Sequence, residues 1–85
     1  MSTVKDLPNI GKVLAEELEA VGIKTPKDLK EVGSAKALFM IRGQSGRGCM
    51  NMLYALEGAI KEIRWHHLSK EEKLLAKDEL EKLLD

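Results

Sequence analysis

Apolar residues recur along this chain at intervals of three and four rather than on alternate positions, which is the spacing of helices that bury one face. Leu14, Leu18 and Val21 form the first such stripe, with Glu16, Glu17 and Glu19 turned away from it, and predict a helix between Pro8 and Val21. Gly22 stops it, because glycine takes the left-handed conformation that closes a helix, and Ile23 is placed to fold back onto the last turn. Thr25-Pro26-Lys27-Asp28 then reads as a start signal: a threonine cap, a proline at the first helical position, and an acid three residues after the cap. This second helix runs to about Val32. Gly33 repeats the stop, and Ser34 caps a third helix through Ala37, Leu38 and Ile41 that ends at Gly43.

Arg42 to Gly48 carries glycine at 43, 46 and 48, a density that opposes regular structure and predicts a loop dividing the chain. From Cys49 to Ile63 the apolar positions Met52, Leu53, Leu56, Ala59, Ile60 and Ile63 regain the helical period, and Glu57, Lys61 and Arg64 fall on the opposite face. This is expected to be the central helix. Ala55, Gly58 and Ala59 leave its middle with little bulk. Glycine there costs about 1 kcal/mol against alanine, so close crossing by another helix is the expected compensation. Trp65-His66-His67-Leu68 reads as a connector, and Ser69 with Glu72 as a capping box for a last helix whose apolar face holds Leu75, Ala76, Leu80, Leu83 and Leu84, with Leu74 off the stripe. No segment alternates as a strand does. The expectation is an all-α fold, a compact bundle of about five helices forming one domain over residues 1–85.

Composition narrows the function. Fourteen Lys+Arg balance fourteen Asp+Glu, so no bulk field draws the chain to polyanions and any partner must be read by a local patch. Cys49 is the only cysteine, which rules out an intrachain disulfide and makes a cytoplasmic location the default. No run approaches the ~20 apolar residues of a membrane span, so no membrane partner is expected.

Leu7-Pro8-Asn9-Ile10-Gly11, then Leu14 and Leu18, then Gly22-Ile23-x-Thr25-x-x-Asp28-Leu29, resembles the C-terminal domain of TfoX/Sxy-type competence regulators. Leu53-Tyr54-Ala55-Leu56-Glu57-Gly58-Ala59-Ile60, followed by Arg64-Trp65 and Leu68, is similar to the second half of the same domain, and together the matches cover roughly residues 7–75. The resemblance implies a non-enzymatic helical module with a helix-hairpin-helix-like N-terminal half, found in bacterial regulators of natural transformation. Fold alone does not fix function.

In a helix-hairpin-helix unit, backbone N–H groups at a turn and at the following helix start point at a DNA phosphate. Asn9, Ile10, Gly11 and Lys12 are the candidates here, with Lys24 and Lys27 near the second helix adding charge, and Glu16 and Asp28 the acids able to neutralise them. Such contact with double-stranded DNA ignores sequence. Asn9 stands where the usual pattern has a glycine, and the six residues ahead of the motif are too few for a full first helix. The competing reading of the turn is a purely structural one.

Gly43 and Gly48 share the glycine spacing of a phosphate-cradling loop, but Cys49 and Met50 stand where that motif needs lysine and a hydroxyl residue, so no nucleotide cofactor or small-molecule substrate is expected. Arg42, Arg47 and Gly48 remain a secondary anion patch, against the plainer reading of a connector. Cys49, His66 and His67 lack metal-ligand spacing, and no nucleophile has a base in sequence reach, so neither a metal site nor catalysis is expected. Trp65 is read as a core aromatic. Leu74, Leu75, Leu80 and Leu84 on the last helix exceed what one small core covers and form a candidate interface. Two functions therefore stand: a regulatory or accessory module touching the DNA backbone, and a module for self-association or for binding a regulatory protein without DNA contact.

Overall fold

A computed structural model describes residues 3–46 and 48–84. Among them the chain forms five α-helices and no strand: α1 (Lys12–Ala20), α2 (Pro26–Val32), α3 (Ser34–Ser45), α4 (Met50–Lys61) and α5 (Lys70–Leu84), with single 3-10 turns at Val4–Asp6 and Trp65–His67. The all-α expectation holds.

The helix ends follow the short-range chemistry. α1 closes in a Schellman motif, with the Ile23 N–H donating to the Leu18 carbonyl at 2.9 Å and the Gly22 N–H to that of Glu19 at 3.0 Å, and Ile23 is buried. Thr25 and Asp28 form the expected reciprocal capping box at α2, as do Ser69 and Glu72 at the start of α5.

Other boundaries moved. α1 begins at Lys12, not Pro8, because Asn9 lies in the left-handed region (φ 70°) and the chain turns there. α3 passes through Gly43 and stops at Gly46 (φ 75°), so the glycine-rich loop is shorter than expected. Ser34 does not cap α3; Gly33 does, and the buried Ser34 hydroxyl donates to Glu57 at 2.6 Å. Glu57 is therefore half-buried rather than on a solvated face.

The centre of the bundle is α3, not α4: it packs against all four other helices. Val4, Leu18, Ile23, Leu29, Leu38, Ile41, Leu53 and Leu56 are fully buried and form the core. Glu57 leads into a polar seam between α4 and α5, where Lys61 lies 3.5 Å from Glu57 and 3.3 Å from Glu72. The bond to Glu72 holds the Lys61 ammonium above its ordinary pKa, while the Ser69 N–H and then Lys61 hold Glu72 below its own.

The small middle of α4 receives a turn rather than a helix. Asn9 Nδ2 donates to the Ile63 carbonyl at 2.9 Å and to the Ala55 carbonyl at 3.4 Å, and Oδ1 accepts from the Trp65 N–H at 3.1 Å. A Cβ at Gly58 would stand 2.6 Å from that amide nitrogen and 2.9 Å from the Ile63 carbonyl oxygen. Asn9→Gly, which keeps the left-handed backbone and removes only the clamp, is expected to lower stability by about 1 to 3 kcal/mol. Gly58→Ala is expected to cost about 1 to 3 kcal/mol by overpacking. Urea denaturation of both variants and the double variant should show a smaller loss for Gly58→Ala in the Asn9→Gly background; strictly additive losses would mean that the two positions do not meet.

Candidate nucleic-acid interface

The turn Leu7 to Lys12 rests on a short N-terminal platform. The 3-10 turn Val4–Asp6 is closed by its own Thr3 and Asp6 capping box, and the Val4 N–H donates to the Lys24 carbonyl at 3.1 Å. That bond lays the N-terminal turn beside the connection between α1 and α2. Among the described residues, this 3-10 turn stands where a helix-hairpin-helix unit has its first helix.

The six residues expected to meet a phosphate separate into groups. Asn9 is half-buried and its amide is spent on α4 and on Trp65. Ile10 is buried at 8% exposure and belongs to the core. Gly11 and Lys12 are exposed. Gly11 is the N-cap of α1 with no side-chain cap, and the first turn carries no acid. The helix dipole and the leading amides thus face outward beside Lys12, an arrangement that attracts anions. Among the described residues no ion pair joins Lys12 to Glu16.

Lys24 and Lys27 are exposed too, but the helix start beside them is closed. Asp28 accepts from the Lys24 N–H and the Thr25 N–H, each at 3.2 Å. These backbone bonds, Lys24 first, hold the Asp28 carboxyl below its ordinary pKa, and the Lys27 charge adds a smaller pull in the same direction. Asp28 therefore occupies the amides of this turn and offsets part of its positive charge.

A depression of about 280 Å³ opens between α1 and α3, floored by Val13, Ala20 and Ile41 and edged by Glu16 and Glu17. Its carboxylates have the sign that repels phosphate.

In the secondary patch, Arg42 and Gly48 are exposed, and Arg47 lies outside the described residues. The Arg42 stem covers Gly48, whose added Cβ would stand 2.5 Å from Arg42 Cγ. Cys49 is the exposed N-cap of α4. No group of three or more metal-ligating side chains gathers among the described residues, and no helix there is long and apolar enough to cross a membrane.

On α5, Leu80 is buried beside Ala76 and is core, which corrects its assignment to an interface. Leu74, Leu75 and Leu84 are exposed at 61, 64 and 48%, so Leu75 and Leu84 lie outside the core face on which the spacing placed them. Leu83, expected inside, is 39% exposed at the end of the helix. Sequence reasoning also misplaced Trp65, which is 37% exposed on the connector rather than in the core. One signal for that was available: in sequence Trp65 stands between Arg64 and His66-His67, all polar.

Fold and site define an all-helical module whose N-terminal half is organised around a left-handed turn and an open helix start. The model of the TfoX C-terminal domain matches residues 1–81, and the chain belongs to that regulatory-type domain family. The chain is 46% identical to an uncharacterized protein from Listeria monocytogenes crystallised in a triclinic form, over 98% of this chain and 94% of that one, with a TM-score of 0.87. It is 48% identical to a protein of unknown function from Listeria monocytogenes in a tetragonal form, over 93% of this chain and 98% of that one, with a TM-score of 0.83. No curated protein matches it.

The Asp28 cap carries a pH signature. Its folded-state pKa is depressed, so its contribution to stability is present above the ordinary carboxylate range and is lost as pH falls through the depressed value. Asp28→Ala is expected to flatten the fall in stability below about pH 4. Urea midpoints measured across the acid range check this, and an acid limb identical to that of the parent chain would mean that the cap is not formed in solution.

Proposed function

We propose that this chain is a non-enzymatic, cytoplasmic regulatory or accessory module of the competence-regulator type that holds the DNA backbone, without reading sequence, at the start of α1. The observation that carries this reading is the contrast among helix starts. α2 and α5 are closed by their own side chains; α1, α3 and α4 start with no side-chain cap and no first-turn acid, and of these three only α1 has a lysine, the exposed Lys12, at its first position. Family membership supports the regulatory part. Asn9 and Ile10 hold this turn from within, and Gly11 and Lys12 face the phosphate. Lys24 and Lys27 supply flanking charge that Asp28 partly offsets.

A second reading has its own observation. Leu74, Leu75 and Leu84 place exposed apolar surface on α5, and a second copy of the chain is the partner that would cover it, so a protein-interaction module remains the alternative.

Fluorescence anisotropy of a labelled DNA duplex separates the two. Binding is expected at low salt and should weaken steeply as salt rises, since each neutralised phosphate releases counterions. Lys12→Glu should weaken binding to every sequence alike and reduce the log–log salt slope by roughly 1. The substitution keeps the fold, because an acid in the first turn suits the helix dipole. Absence of binding at low salt would overturn the DNA reading. A dimeric mass at micromolar concentration that Leu74→Glu returns to monomer would then establish the interaction module.

A further inference from the structure

The only tryptophan of the chain is 37% exposed, on a backbone that is firmly held. The Trp65 N–H is bonded to Asn9, the Trp65 carbonyl accepts from the Leu68 N–H at 3.1 Å, and the His67 N–H closes on the Arg64 carbonyl at 2.9 Å. Lys73 places its ammonium 5.6 Å from the centre of the Trp65 ring and 5.4 Å from that of Tyr54, bridging the two rings with one cation. His66 meets Trp65 edge to face at 6.0 Å, and His67 meets His66 in the same way at 4.6 Å.

Two acids near this cluster are engaged, Glu62 with Lys30 at 3.3 Å and Glu72 with Lys61 and the Ser69 N–H, while Glu71 is exposed. Arg64 and Lys73 form no ion pair among the described residues.

We propose that Tyr54, Arg64, Trp65, His66, His67 and Lys73 form a platform on which the unpaired bases of a single-stranded nucleic acid stack. Trp65 supplies a rigid aromatic face, and any base can use such a face. The base takes the place of the Lys73 ammonium over the ring, and Lys73 and Arg64 then meet the phosphates on either side of it. Bases inside a duplex are already stacked on one another, so the ring selects unpaired strands. A protein partner fits less well, because a hot-spot tryptophan needs an apolar collar that excludes water, and the contacts of this ring are the His66 imidazole and the Lys73 ammonium. The platform uses none of the exposed groups of the α1 start and stands whether or not that start holds a phosphate.

The test titrates the full chain with a short oligothymidylate while following tryptophan emission, which reports Trp65 alone. Saturable quenching that weakens as salt rises is expected. By anisotropy of the same labelled oligonucleotide, with Lys12→Glu as the common background so that the α1 start does not contribute, Trp65→Ala should bind roughly ten- to a hundred-fold more weakly. Trp65→Ala keeps the main-chain N–H that Asn9 needs, and an unchanged circular-dichroism spectrum confirms its fold. Oligothymidylate that leaves the emission unchanged at low salt, or a Trp65→Ala variant that binds as tightly as its Lys12→Glu background, overturns the proposal.

Discussion

The side-chain amide of Asn9 is the point on which the two halves of this small protein turn. It ties a segment near the N-terminus to Ala55, Ile63 and Trp65, residues at least 46 positions away, and it does so with both its donor and its acceptor. A chain of 85 residues buries only about 60% of its unfolded surface and has no disulfide to assist it, so one part-buried clamp holds a large share of its small stability margin. The clamp has two preconditions. Asn9 must enter the left-handed region, which asparagine tolerates better than most residues, and Gly58 must lack a side chain so that the amide can lie against α4. Asparagine in the place of a hairpin glycine is thus more than a tolerated exchange: it keeps the backbone shape of the turn and adds a tether that glycine cannot make.

What could be read from the sequence was set by the range of the interactions involved. The Thr25 and Asp28 box, the Gly22 and Ile23 stop, and the Ser69 and Glu72 box each close within a few residues, so their chemistry is written in adjacent letters. The small residues at Ala55, Gly58 and Ala59 announced a close approach but could not say to what, since the partner lies on another part of the chain. For the same reason the centrality of α3 was hidden: Ala35, Ala37, Leu38 and Ile41 are buried because four helices converge on them, not because their own periodicity is unusually strong. Gly43 misled in the opposite way. Its cost inside a helix is only about 1 kcal/mol, and packing of the Ile41 turn outweighs it.

The candidate interface was legible to a similar degree. Motif spacing picked out Gly11 and Lys12, which the fold leaves exposed, yet it could not separate them from Ile10, which points into the core, or from Asn9, whose side chain is already engaged. Nor could it rank the lysines. Lys12, Lys24 and Lys27 are equivalent as letters, but Lys24 and Lys27 sit where Asp28 has taken the amides, whereas Lys12 sits at a helix start whose dipole is uncompensated.

With no net charge, the molecule can attract a polyanion only where its own acids are occupied elsewhere. The start of α1 and the Trp65 connector meet that condition for different reasons. At the start of α1 the first turn simply contains no acid, and the carboxylates of Glu16, Glu17 and Glu19 begin one turn further along, so the helix is polarised by its own sequence. At the Trp65 connector the neighbouring acids Glu62 and Glu72 are held by Lys30 and Lys61, so the polarity there depends on tertiary ion pairs. Asn9 links the two, because its backbone forms the turn that leads into α1 while its carbonyl oxygen Oδ1 fixes the N–H of Trp65. The outward leucines Leu74, Leu75 and Leu84 on α5 share no residue with either surface. Lys73 of the connector cluster lies on α5 directly before Leu74, so pairing through Leu74 would draw on positions next to that cluster, whereas the start of α1 lies on a different helix.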